Sequence, residues 1–210
     1  MFYFVKTPWW LRKIYSSCVW RFPGKEKVIY LTFDDGPHPN VTPFVLNTLK
    51  LYNAKATFFC IGKNVLAQPL IYKRILLEGH AVGNHTFNHL NGWKTVADDY
   101  INNVREAEKC IDSPLFRPPY GRITKSQLKL LSMGHRRLTS IMWTVLSGDF
   151  DVTLAREKCL KNVLTKTGNG SIVVFHDSEK AFERMTFALP KMLEHFTGKG
   201  YRFEAIRIAH

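Results

Sequence analysis

Seven short runs rich in β-branched and aromatic residues recur along the chain, separated by stretches with helical spacing, and this alternation limits the fold more than any other feature. The runs are VIYLTF (28–33), KATFFCI (55–61), HAVGN (80–84), LFRPP (115–119), SIMWTVL (140–146), SIVVFH (171–176) and YRFEAIRI (201–208). Helix boundaries punctuate the intervals: Thr42 and Pro43 open one helix, Gly79 closes the next, Thr124 and Gly134 bracket a third, and Thr153 and Gly168 a fourth. Strands that alternate with helices form a parallel sheet covered by those helices. No dinucleotide-type glycine-rich turn is present, so a closed or nearly closed α/β barrel is expected in preference to an open sheet. With 210 residues and 45% hydrophobic content, a single domain accommodates it.

Charge narrows the partners without choosing one. Thirty Lys and Arg against seventeen Asp and Glu give a formal charge of +13, which favours anionic surfaces and ligands. The basic residues are spread along the chain without an RNP1-like or zinc-finger signature, so no specific nucleic-acid partner is expected. Cys18, Cys60, Cys110 and Cys159 form no CxxC pair and read as free thiols. The amino-terminal segment MFYFVKTPWWLRKIYSSCVWRFPG is interrupted by Lys6, Pro8, Arg12 and Lys13, so it lacks the apolar core of a signal peptide. No run is long enough for a transmembrane helix. A cytoplasmic or membrane-peripheral location is preferred on these grounds. Residues 1–25 are expected to cover one end of the barrel, with peripheral membrane contact through residues 1–22 as the other reading.

In parallel α/β folds, active sites gather at the carboxyl ends of the strands. Five of the runs deliver titratable or cationic groups there: Asp34 and Asp35 in TFDDGP, His85 and His89 in HTFNH, Arg117 in RPPYG, Asp149 in SGDFD, and His176 in VFHD. An isolated DDGP is an ordinary acidic turn, but a turn does not explain the other four clusters. Two histidines four apart would share one side of a helical turn, and one carboxylate from the first strand completes a two-imidazole, one-oxygen set with open positions. The same set suits non-haem iron. The second carboxylate can act as base, His176 as acid with Asp149 as its partner, and Arg117 as the fork that holds the base.

In this order and on these elements, TFDDGP, HTFNH, RPPYG, SGDFD and VFHD resemble the motifs of the polysaccharide deacetylase family, carbohydrate esterase family 4 with its NodB-homology domain, over roughly residues 26–208. The resemblance implies a single-domain, TIM-barrel-like, distorted (β/α) barrel of about seven units. It also implies metal-dependent removal of N-acetyl, or O-acetyl, groups from an amino-sugar polysaccharide such as peptidoglycan or a chitin-like glycan. Carried over residue by residue, Asp34 is the general base, Asp35, His85 and His89 are the metal ligands, and Arg117 tethers the base. Asp149 partners the general acid His176, and the Tyr120 backbone N–H joins the metal in stabilising the oxyanion. The implied cofactor is a divalent metal, zinc foremost, with cobalt, nickel or iron as alternatives.

Three departures fall on the substrate pocket, to which Pro119, Phe150 and Val174 are assigned. Phe150 stands where the family usually has Trp, Leu146 where it often has Asp, and Val174 where it usually has Leu. They bear on substrate shape more than on the chemistry, since every charged reactive group remains. A non-catalytic carbohydrate-binding relative, and a small-substrate amidohydrolase or lipid-linked sugar deformylase, are the competing readings. Asp177 is expected to anchor its loop, and His38 to be structural.

Overall fold

The computed structural model describes residues 3–134 and 136–208. Its strands are β1 (Val28–Asp34), β2 (Ala56–Cys60), β3 (Ala81–Asn84), β4 (Leu115–Phe116), β5 (Thr139–Ser140), β6 (Val145–Leu146), β7 (Ile172–His176) and β8 (Arg202–Phe203). The helices are α1 (Trp9–Ile14), α2 (Val41–Leu51), α3 (Gly62–Ala67), α4 (Pro69–Leu77), α5 (Ala97–Glu108), α6 (Lys125–Met133), α7 (Arg156–Lys166) and α8 (Phe182–Gly198). The sheet runs β5-β4-β3-β2-β1-β7-β6, with β8 added on β1, and every pair is parallel. It is a curled α/β half-barrel, as the alternation implied. Among the described residues, no helix is long and apolar enough to cross a membrane.

Strand β1 is central and almost wholly buried, so its side chains alternate between two apolar surroundings. Phe33, Phe58 and Phe175 face the helical layer and stack across β2, β1 and β7, with ring centroids 5.1 and 6.1 Å apart. Each ring is fully buried, contributing roughly 1.5–3 kcal/mol. Helix α8 packs there because Met185, Ala188, Leu189, Met192, Leu193 and Phe196 recur at helical spacing and are all buried. Helix α6 begins on a reciprocal cap: Thr124 Oγ1 accepts from the Gln127 backbone N–H, and Gln127 Oε1 from that of Thr124.

The expected single strand 140–146 is two short strands. Its first half pairs with β4 and its second half with β7, so this one segment spans the opening of the half-barrel. The interruption has a tertiary cause: the carbonyls of Ile141 and Met142 accept hydrogen bonds from the Arg117 guanidinium instead of continuing a ladder. The amino-terminal segment runs along this seam and bonds both halves. Val19 N–H donates to the Ser140 carbonyl and Met142 N–H to that of Val19, while Leu146 N–H donates to Val5 and Thr7 N–H to Thr144. Leu11 and Tyr15 pack against the buried cluster containing Cys18, Trp20, Phe116 and Met142.

His80 opens β3 from a buried position, and its Nδ1 accepts the Ala56 N–H at the start of β2 (3.2 Å). Burial, with Lys55 adding to it, pushes its pKa down from 6.5 to about 4. Between these values the unfolded chain holds a proton that the folded chain refuses, so His80 subtracts stability as pH falls through this window. His80→Leu should lose about 1–3 kcal/mol at neutral pH through the orphaned Ala56 N–H. Its melting temperature should also decline less than the wild type's between pH 6.5 and 4; an equal decline contradicts the assignment.

Candidate active site

Strand register brings the reactive groups to one level. Asp34 is opposite His176 across β1 and β7, and Asn84 is opposite Phe116 across β3 and β4, so His85 and Arg117, each the next residue, emerge together. Asp34 ends β1, and the backbone turns at Asp35, whose φ is 81°. That turn brings two adjacent carboxylates to one side. Buried Asp177 holds it, accepting from Gly36 N–H (3.0 Å) and Thr42 Oγ1 (2.5 Å), while its own N–H donates to the Asp34 carbonyl. A Cβ on Gly36 would lie 2.0 Å from the Asp177 carboxylate, so any other residue here would displace that carboxylate from its place. His38 is structural as expected: its Nδ1 accepts the N–H groups of Asn40 and Val41 at the start of α2.

The two aspartates have different partners. Asp34 Oδ1 accepts from Arg117 Nη1 at 2.7 Å; the same nitrogen donates to Thr32 Oγ1, and the guanidinium lies over Phe59, 4.0 Å from its centroid. Asp35 Oδ1 lies 3.1 Å from His89 Nε2 and 3.7 Å from His85 Nε2. Burial opposes charge on Asp35, but the hydrogen bond to His89 and the fields of His176, His85 and His89 hold its carboxyl well below the usual range. Burial pushes His85 down to about 4.

His85 and His89 lie on no helix, which corrects the expected helical turn. They sit on the loop after β3, and they converge because Thr86 and His89 adopt φ of 64° and 59°. Side-chain acceptors replace the missing helical bonds. Asn84 Oδ1 takes the Thr86 N–H, Asn103 Oδ1 of α5 takes those of Phe87 and Asn88, and Thr86 Oγ1 takes that of Leu90.

Opposite the histidine pair, His176 Nδ1 lies 2.8 Å from Asp149 Oδ1, and its backbone N–H donates to Asp149 Oδ2 at 2.7 Å. Burial would lower this imidazole, but the charge and hydrogen bond of Asp149, with Asp35 and Asp34 behind, outweigh it and raise it to about 9. Buried Arg184 braces the loop by donating to the Asp149 carbonyl (2.7 Å) and to that of Lys180.

These groups surround a cavity of about 330 Å³ lined by Asp34, Asp35, His85, His89, Tyr120 and His176, with Trp143, Leu146, Phe150 and Val174 as its apolar wall. Pro119 is buried and does not line it, a correction to its assignment; it begins the single turn that sets Tyr120 at φ 60°. Sequence reasoning missed Tyr3, Trp143, Arg122 and Lys180, which also line the cavity. Tyr3 packs on Phe150 at 5.1 Å, and its hydroxyl donates to Asp151. Trp143 carried a signal in retrospect, as a bulky aromatic in the run that precedes SGDFD.

Asp35, His85 and His89 present donor atoms within 4.8 Å of one another. The His85 Nδ1 contact with the Arg117 carbonyl (2.7 Å) turns Nε2 toward Asp35, the second-neighbour fixing that ligand imidazoles require. One carboxylate and two oriented imidazoles fit a divalent cation with room for further ligands.

The polysaccharide deacetylase family matches residues 22–137 of the chain. A peptidoglycan-N-acetylglucosamine deacetylase of Bacillus cereus is 36% identical over 200 residues, covering 91% of this chain and 93% of its own. The Bc1960 peptidoglycan N-acetylglucosamine deacetylase, solved in complex with 4-naphthalen-1-yl-N-oxidanyl-benzamide, superposes with a TM-score of 0.86 at 32% identity, over 95% of each chain. A carbohydrate esterase family 4 pseudoenzyme from Bacillus anthracis superposes at 0.76 with 27% identity, covering 89% of this chain and 66% of its own. In sequence and in fold alike, this chain belongs to the polysaccharide deacetylase family.

Proposed function

We propose that the chain hydrolyses acetyl groups, N-acetyl foremost, on an amino-sugar polysaccharide of the peptidoglycan or chitin type, with Asp35, His85 and His89 holding a divalent metal, zinc in preference to cobalt, nickel or iron. The observation that carries this reading is the division of the aspartate pair: Asp34 is tied to a buried arginine, while Asp35 faces two imidazoles. A bound divalent cation supplies Lewis acidity to the acyl carbonyl and to water.

The remaining steps belong to side chains. Asp34 accepts the proton of the attacking water, and Arg117 keeps its carboxylate in line. The Tyr120 backbone N–H donates to the carbonyl oxygen as charge develops on it. The carbon–nitrogen bond breaks as His176 passes its proton to the departing amine, releasing acetate. Trp143, Leu146, Phe150 and Val174 form an apolar seat for the acetyl methyl. The presence together of Asp34, Arg117, Asp149 and His176 favours turnover over a purely binding role.

Chelation should abolish acetate release from acetylated glucosamine oligomers, and zinc or cobalt should restore it; full activity in metal-free protein contradicts the reading. Rates should rise with oligomer length, whereas equal rates on the monosaccharide favour the small-substrate alternative.

Asp35→Ala should lose bound metal and activity together. Asp34→Asn should keep metal near one per chain while turnover falls by roughly 10²–10⁴-fold, the effect of a lost general base. Metal analysis beside acetate release separates the two, and the opposite pattern reverses the assignment.

His176 must be protonated to act, so activity should fall as pH rises through about 9. Asp149→Asn removes the main influence that raises this pKa and should move the alkaline limb to lower pH. An unmoved limb contradicts the pairing.

A further inference from the structure

The two readings of the amino-terminal segment divide between its two sides. One side is internal: Thr7, Cys18 and Trp20 are buried, and Leu11 and Tyr15 pack on the core. The other side is apolar and open to solvent, with Trp9 63% exposed, Ile14 48%, Trp10 44% and Phe4 42%. Phe4, Trp10 and Ile14 form one connected strip, and Trp9, the residue next to Trp10, stands beside it under Lys13. Phe4 meets Trp10 edge-on at 6.3 Å, Ile14 follows Trp10 by one helical turn, and Lys13 Nζ lies 5.1 Å from the Trp9 ring. A segment serving only as cover would turn its indoles inward, and single exposed apolar residues need no explanation, but a connected aromatic patch does.

Charge identifies what the patch faces. Residues 1–25 carry Lys6, Arg12, Lys13, Arg21 and Lys25 and contain no Asp or Glu. Self-association through this face would set cations against cations across a two-fold axis. Indole rings interleaved with Lys and Arg suit the headgroup level of an anionic bilayer, where the rings enter the acyl boundary and the cations meet lipid phosphates and carboxylates. We propose that the exposed Phe4, Trp9, Trp10, Lys13 and Ile14 face docks the protein peripherally on an anionic membrane surface.

This docking bears on access to the catalytic site. The same segment, through Phe4 at the edge of that face and Thr7, Pro8 and Leu11 behind it, lines a groove that continues past Tyr120, Arg122 and Trp143 into the reactive cavity. A protein seated on Trp9 and Trp10 holds that groove beside the bilayer, within reach of glycan assembled or anchored there. The membrane contact stands independently of the deacetylase reading, because neither tryptophan lines the cavity or the groove.

The test is flotation of the full chain with vesicles of phosphatidylcholine alone and of phosphatidylcholine with about one third phosphatidylglycerol, at low and at high salt. Binding is expected to the anionic vesicles only and to weaken with salt. Trp9→Ala/Trp10→Ala and Lys6→Ala/Lys13→Ala should each reduce partitioning at least tenfold, with melting temperature and acetate release from soluble oligomers unchanged. Absence of binding to anionic vesicles, or equal binding by wild type and the tryptophan variant, overturns the proposal. So does a wild-type dimer that the tryptophan variant loses in the absence of lipid, or oligosaccharide affinity that it loses in the absence of vesicles.

Discussion

The Arg117 guanidinium is the interaction on which the rest of the structure depends. It is fully buried and hydrogen-bonds to Thr32 and Asp34 of β1 and to the carbonyls of Ile141 and Met142 in the seam segment. A charge at that depth is stable only with a counter-charge and with acceptors for its remaining donors. Asp34 supplies the first and the seam carbonyls the second. The ion pair that aims the proposed base therefore also interrupts strand 140–146 and fixes where the half-barrel stays open. The Arg117 carbonyl, through His85, orients one of the proposed metal ligands as well. One residue thus couples the fold, the base and the metal-ligand set.

What was legible in the sequence was local. Thr124 and Gly134 marked α6 because caps are written in neighbouring residues, and β1, β2 and β7 stood out as β-branched and aromatic runs. The break in 140–146 was not legible, because its cause is a side chain more than twenty positions upstream. The histidine pair was visible by spacing, but the reason for its convergence was not: left-handed backbone at Thr86 and His89 leaves no compositional trace, as it would at glycine. Tyr3, Arg122, Lys180 and Arg184 belong to no motif. Only the folded chain brings Tyr3 to Asp151 and Arg184 to the Asp149 carbonyl, both in SGDFD.

The proposed reactive groups sit in a cavity whose wall includes Tyr3, Phe150 and Lys180. Phe150 meets His176 edge-on at 5.2 Å and Tyr3 at 5.1 Å, so the amino-terminal segment helps to shape the proposed acyl seat. Lys180 Nζ lies 3.7 Å from Asp35 Oδ2 and places a cation at the mouth. In the proposed reaction, Tyr3 and Lys180, which belong to none of the motifs, would add to the reading of substrate shape and charge, while motif residues would carry the proton transfers.

In the proposed mechanism the fork of Arg117, and not merely a positive charge, holds Asp34 for catalysis. The most direct measurement is acetate release by Arg117→Lys, taken together with its metal content and its melting curve. A lysine keeps the charge but cannot bond Thr32, Asp34 and two carbonyls at once. Arg117→Lys should be a cooperatively folded protein that still binds metal but whose turnover falls by about a hundredfold or more, as for an unaligned general base. Turnover near the wild-type value in that variant would contradict this mechanism.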